Sequence, residues 1–214
     1  MPVRDQLEQT KAGFIAKVPG EAQADIFRHI KEQQLSGAVF GLHEGDKAPD
    51  FTLPNPLGEQ VTLYDELAKG PVVFIFYRGG WCPFCNVQLR AYQQCLPEIR
   101  KQGAQLLAVS PQSPDNSLSQ KEKEKLIFQV LSDTNGLVAE SYNLLFELPD
   151  YLQHTLKHTL GLDLGVYNRT DRWVLPVPAA LIIDQAGFVR FAEADPDFMK
   201  RTEPQTIIGE LKKL

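Results

Sequence analysis

Val72-Val73-Phe74-Ile75-Phe76-Tyr77-Arg78-Gly79-Gly80-Trp81-Cys82-Pro83-Phe84-Cys85-Asn86 is the stretch that decides the fold. Its first six residues are continuously apolar, β-branched or aromatic, the composition of a short strand buried on both faces. Gly79-Gly80 permit a sharp turn. From Cys82 to about Lys101 the pattern is helical, with Leu89, Tyr92, Leu96 and Ile99 on one face and Gly103 after the end. Pro83 falls in the first turn, where no N–H is required of it. Two cysteines three apart therefore sit where a strand and turn enter a helix. On a first helical turn that spacing lets the sulfurs approach bonding distance. The free N–H groups and the helix dipole there favour a thiolate, which is the nucleophilic form of cysteine.

Outward from this unit, Ala104 to Val109 reads as a second buried strand, Ser117 to Lys125 as a polar helix, and Phe128 to Leu131 as a third strand. Asn135 to Tyr142 reads as a small helix. Ala179 to Ile183 and Phe188 to Ala192 form a hairpin across Asp184-Gln185-Ala186-Gly187, and Thr202 to Leu214 is a final helix. Upstream, residues 3–18 and 21–35 are amphipathic helices divided by Pro19-Gly20. Their apolar faces need either the main domain or a second chain, so a homodimer is a candidate assembly. Strand and helix alternation followed by a hairpin gives an α/β fold with a mixed sheet. Residues 1–40 are assigned to an N-terminal helical extension and residues 41–214 to the main domain. Residues 143–177 fit no part of the alternation and are assigned as an insertion, helix-like over Leu145 to Leu160 and loop-like over Gly161 to Val177.

Composition narrows function. The 214 residues carry 22 basic and 27 acidic side chains, a net charge of −5, with no basic cluster. Neither nucleic acid nor an anionic membrane surface is an expected partner. The longest apolar runs, Val72 to Tyr77 and Ala179 to Ile183, fall far short of the roughly 20 residues of a spanning helix. Near the start, Arg4, Asp5, Glu8 and Lys11 leave no room for a secretory signal. Three cysteines do not make a disulfide framework, so a reducing, cytoplasmic compartment is expected.

The Cys82/Cys85 pair is also half of a zinc knuckle, but a second ligand pair is lacking. Cys95 stands alone, about 15 Å further along the same helix, and is assigned to packing. His154 and His158 are four apart without the acid of a metalloprotease motif. No metal is called, and the absence of P-loop and dinucleotide fingerprints leaves no flavin or nucleotide cofactor either.

Several further segments occur in a telling order: Gly45-Asp46-Lys47-Ala48-Pro49-Asp50-Phe51, Val61-Thr62-Leu63, Val109-Ser110, Leu131-Ser132-Asp133, and Ile182-Ile183-Asp184 with Gly187-Phe188-Val189-Arg190. With Phe76-Tyr77 ahead of the cysteines, they resemble the peroxiredoxins of the AhpC/TSA class. The resemblance implies a thioredoxin-like fold and thiol-dependent reduction of hydroperoxides, with a thioredoxin-like reductant. The family's site pattern is Pro, three residues, Thr or Ser, two residues, Cys. In that register Cys85 falls on the peroxidatic position, Cys82 replaces the hydroxyl residue and Arg78 replaces the proline. The family's later arginine falls at Pro178, and Val177-Pro178 before a strand is instead similar to thioredoxin, whose cis-proline packs on Trp-Cys-x-x-Cys. Arg78, or Arg172 reaching over from the insertion, is the candidate to supply the missing charge. Trp81 and Phe84 flank the cysteines either as rim contacts or as core. In the peroxidase reading Cys85 attacks and Cys82 closes a disulfide. In thioredoxin logic Cys82 attacks a disulfide substrate, and the protein is a disulfide reductase. A non-catalytic redox sensor or partner-binding module is a third class.

Overall fold

The computed structural model describes residues 2–214. Helices α1 (Val3–Lys17) and α2 (Gly20–Leu35) come first. An antiparallel ribbon of β1 (Thr52–Pro54) and β2 (Gln60–Thr62) follows, then α3 (Leu63–Leu67). Next in order are β3 (Val72–Phe76), α4 (Pro83–Lys101), β4 (Gln105–Ser110), α5 (Pro114–Lys123), β5 (Gln129–Ser132) and α6 (Leu137–Ser141). Residues 145–176 hold β6 (Leu145–Glu147), α7 (Asp150–His154), a π-helical turn (Thr155–Thr159), α8 (Leu164–Asn168) and β7 (Val174–Pro176). The hairpin of β8 (Ala179–Ile183) and β9 (Val189–Ala194) and then α9 (Pro204–Leu211) complete the chain.

The main sheet has the order β5-β4-β3-β8-β9, with β3, β4 and β5 parallel and β8 and β9 antiparallel. Every residue of β3 is fully buried, and its side chains divide by the period of two. Val73 and Ile75, with Tyr77 beyond the strand end, join the core under α4. Val72, Phe74 and Phe76 join Phe51, Leu63 and Tyr142 on the other face. This is the α/β, thioredoxin-like architecture expected, with helices on both sides of a mixed sheet.

The N-terminal helices find their partner within the chain. Val3, Leu7, Ala22, Ile26 and Ile30 are buried, and α1 lies on α4. The Glu203 carboxylate accepts from the Val3 and Arg4 N–H groups at 3.0 and 2.7 Å, which satisfies two free donors at the start of α1.

Residues 143–177 differ from the sequence expectation in both halves. Leu145-Phe146-Glu147 is a strand, paired antiparallel with Val174-Leu175-Pro176, and the Val177 N–H donates to the Leu144 carbonyl at 2.8 Å. The helix starts only at Asp150, after Pro149, and the half read as loop contains α8 and β7. The ribbon joins residues far apart in sequence, so local periodicity carries no sign of it. The polar helix α5 also begins earlier than expected, where the Ser113 side chain caps it.

Gly70, at the turn into β3, has φ +153°, and a Cβ there would overlap the Gly103 carbonyl oxygen. Gly70→Ala is expected to destabilise by about 3 kcal/mol, because rigid backbone rather than a mobile side chain must yield. Chemical denaturation measures this directly, and a loss under about 1 kcal/mol would mean that the turn relaxes freely.

Candidate active site

The turn that delivers the cysteines is held by buried amides. Gly79 has φ +144°, and a Cβ on it would meet Trp81 Nε1 at 2.5 Å. The Gly80 N–H donates to Gln112 Oε1 at 2.8 Å, and Asn86 Nδ2 donates to the Gly80 carbonyl at 2.8 Å. Gln112 Nε2 donates to Gln120 Oε1 at 2.7 Å and to the Tyr77 hydroxyl at 3.0 Å, and Gln120 Nε2 donates to Asn86 Oδ1 at 2.7 Å. A closed polar network of this kind fixes one backbone course between β3 and α4.

Cys82 is the N-cap residue of α4, and Cys85 stands in its first turn. Both are free thiols, 1% and 0% exposed. Burial alone would push Cys85 up. Against it act the hydrogen bond from the Cys82 S–H, the Arg201 charge, and the N–H and charge of Arg78, which together hold Cys85 well below the usual thiol range. Burial pushes Cys82 well up, and its hydrogen bond and proximity to the Cys85 sulfur push it further. Of the two, Cys85 is therefore the more acidic thiol, and Cys82 is the one that holds its proton more tightly.

Arg201 Nη2 lies 3.4 Å from Cys85 Sγ. Its Nη1 is anchored on the Phe198 and Lys200 carbonyls. Arg201 was not among the residues the sequence pointed to. It arrives on the segment between β9 and α9, far along the chain, and the only local sign is Phe198-Met199 beside Lys200-Arg201. The charge missing at Pro178 is thus supplied from another position. Arg78 is 7% exposed, with its guanidinium 3.9 Å from the Phe198 ring centre and 4.8 Å from that of Trp81. Burial lowers its pKa and the two sulfurs raise it, with burial prevailing, yet an arginine so placed keeps its proton at neutral pH.

Two of the expected supporting residues are placed differently. Arg172 Nη1 donates to the Asn135 carbonyl at 2.7 Å, and its charge acts on Asp133 rather than on the sulfurs. The fold of α8 and β7 holds it beside α6. Pro178 is buried near Arg201, but no peptide bond among the described residues is cis. Val177 and Pro178 link β7 to β8, with the Asp195 N–H donating to the Pro178 carbonyl at 3.3 Å. Of the flanking aromatics, Phe84 is core, packed against Phe14 and Phe198, whereas Trp81 is half-buried on a cavity wall. Cys95 is half-buried, with Gln205 Nε2 at 3.8 Å. The His154 and His158 rings lie 4.7 Å apart, and no cluster of three or more metal-ligating side chains occurs among the described residues.

A cavity of about 610 Å³ lies between α1, α2, the start of α4 and the π-helical turn. Phe14, Trp81, Phe84, Leu156, Leu160 and Phe198 make it apolar. Arg78 and Cys82 also line it, and Cys85 does not. A second cavity, of about 70 Å³, is lined by Gln88, Pro178, Arg201 and Thr202.

Comparison with known proteins follows the same line. The model of the AhpC/TSA family matches residues 44–192. Peroxiredoxin Bcp of Escherichia coli (strain K12) is 37% identical over 101 residues, 47% of this chain and 64% of that protein. The chain thus spans a little under two-thirds of that relative. Among solved structures, peroxidoxin BcpB from Mycobacterium tuberculosis superposes with a TM-score of 0.64 at 19% identity, covering 82% of this chain and 99% of that one. A candidate thiol:disulfide interchange protein, DsbE, from Chlorobium tepidum superposes with a TM-score of 0.54 at 21% identity, covering 79% and 99%. No described helix is long and apolar enough to cross a membrane.

Proposed function

The chain belongs to the AhpC/TSA family, and from that premise we propose that it is a thiol peroxidase that reduces hydroperoxides through Cys85 and Cys82. One observation supports the reading: Arg201 Nη2 lies 3.4 Å from the Cys85 sulfur, and its charge acts with the Cys82 S–H and the Arg78 N–H to lower the Cys85 thiol. The Cys85 thiolate attacks one peroxide oxygen. The O–O bond breaks, the alkoxide or hydroxide leaves and is protonated, and Cys85 becomes a sulfenic acid. Arg201 and Arg78 stabilise the negative charge spread between sulfur and leaving oxygen. Cys82 then gives up its proton and attacks the Cys85 sulfur, water leaves, and a Cys82–Cys85 disulfide forms. Two electrons from a dithiol, which the family suggests is thioredoxin-like, restore the pair. The three unpaired cysteines fit a reducing, cytoplasmic setting.

The reading is tested by the rate at which hydrogen peroxide oxidises the reduced protein, followed through the fluorescence of Trp81 beside the pair. The expected rate is far above that of free cysteine. A rate equal to free cysteine would remove the peroxidase reading for that substrate. It would also favour exchange with a disulfide substrate through Cys82, the cysteine that lines the larger cavity.

A further inference from the structure

We propose that the apolar cavity over Cys82 is the entrance for the reducing thiol, and that it takes a small dithiol carried on an apolar arm. The inference rests on the peroxidase reading only for the origin of the disulfide. Its first support is geometric. A thiolate displaces a disulfide in line, approaching one sulfur from the side opposite the other. Cys82 lines the cavity, and Cys85 lies outside the cavity wall. A thiol entering there meets Cys82 first.

The second support is the leaving group. Exchange is faster when the departing sulfur is the more acidic thiol. Cys85 is that thiol, and Arg201 waits 3.4 Å from its sulfur. Access and leaving-group ability therefore select the same bond.

The third support is the pair of side chains beside Cys82 on the cavity lining, Arg78 and Trp81. Arg78 Nε and Trp81 Nε1 are buried without a hydrogen-bond partner, and both residues line the cavity. An entering thiolate needs a cation beside the sulfur it attacks, and the Arg78 guanidinium, whose charge acts on Cys82, supplies it. The remaining wall is mostly aromatic and aliphatic, with Thr10 and Lys17 as its polar members, which suits an alkyl arm. A separate, smaller cavity lies beside Arg201, lined also by Gln88, Glu193 and Thr202, and Cys85 itself lines neither cavity. The smaller cavity's volume of about 70 Å³ has room for a few molecules the size of water.

The exchange balances as follows. The entering thiolate bonds to Cys82 Sγ, the Cys82–Cys85 bond breaks, and its electron pair leaves on Cys85. The second thiol of the reductant then attacks the reductant's own sulfur in the mixed disulfide. Cys82 departs and takes up that thiol's proton, and the reductant leaves as a cyclic disulfide. A dithiol finishes this without a second encounter, whereas a monothiol waits for another molecule or is expelled by Cys85. A folded donor meets an obstacle, because α1 and α2 cover a Cys82 that is 1% exposed.

Gly13 gives the test. It lines the cavity from α1, and an added Cβ there has no atom within 4 Å, so Gly13→Phe fills the cavity with little disturbance of packing. The disulfide is prepared with diamide, so the entrance is tested even if peroxide oxidation proves slow. Dihydrolipoamide should reduce the variant about tenfold more slowly than the unaltered protein, while oxidation of the reduced variant by hydrogen peroxide changes by less than about twofold. Slower oxidation with unchanged reduction would overturn the proposal and make the cavity the peroxide entrance. In parallel, the oxidised unaltered protein is treated with benzyl mercaptan, quenched, and cleaved with chymotrypsin after Phe84, which separates the two cysteines. The adduct is expected on Cys82, and an adduct on Cys85 would overturn the assignment. Faster reduction by thioredoxin than by dihydrolipoamide, unaffected by Gly13→Phe, would overturn the class of reductant.

Discussion

Cys85→Ser is expected to lower the rate of reaction with hydrogen peroxide by at least about a thousandfold, the scale on which enzymes lose activity when their nucleophile is removed. Cys82→Ser is expected to behave differently. Its hydroxyl still donates to the Cys85 sulfur, and both arginines remain, so the first oxidation stays within about tenfold of the original. What it loses is the exit from the sulfenic acid. The variant accumulates that species and, with excess peroxide, goes on to the sulfinic acid. Stopped-flow fluorescence with mass spectrometry of the quenched protein separates the two variants. If Cys82→Ser lost the fast phase and Cys85→Ser kept it, the roles assigned to the two sulfurs would be reversed.

Arg201→Met is expected to slow the same reaction by about a hundredfold at pH 7, the effect of removing one charged group from a developing anion. Two causes combine. Burial raises the Cys85 thiol, and Arg201 is one of the groups that outweigh it, so without that charge the thiol rises. The sign for pH follows. Only the thiolate reacts, so the rate climbs with pH through the Cys85 pKa and then levels. In the unaltered protein the climb lies well below the usual thiol range, and in Arg201→Met it moves to higher pH. Alkaline solution therefore restores the part of the loss due to protonation. The part due to charge on the leaving oxygen persists. Thiolate absorbance in the ultraviolet, titrated beside the rate, measures the two parts. An unmoved midpoint would remove Arg201 from the site, and partial rescue by Arg201→Lys would favour a role as a charge.

The strand, turn and helix around Cys82 and Cys85 were legible because everything that determines them is local: six apolar residues, two glycines, a proline in the first turn and a helical stripe. The mixed sheet followed because β3, β4, β5, β8 and β9 are each continuous apolar or hairpin signals. Pairings between remote segments were not legible. β6 and β7 close a ribbon across the insertion, and neither has a pattern of its own. Arg201 is the same case at the site, since its chemistry depends on where the segment after β9 crosses α4. Arg172 is the converse. Its charge was readable, but its partners, the Asn135 carbonyl and Asp133, are set by the way α8 and β7 fold back. Gln112 and Gln120 looked like ordinary polar residues, and only their burial makes them a clamp on the Gly79-Gly80 turn.

The Glu203 carboxylate that holds the start of α1 stands two residues from Arg201, and Phe198, on the same short segment, forms part of the cavity wall. One stretch of six residues therefore answers to three demands at once. A change made there to adjust the cavity is also felt by the counter-ion of Cys85 and by the anchorage of α1. Substitutions within residues 198–203 will be epistatic with those in α1 and at Cys85. For anyone re-engineering this protein, that segment and α1 form a single unit of inheritance, to be exchanged together or left alone.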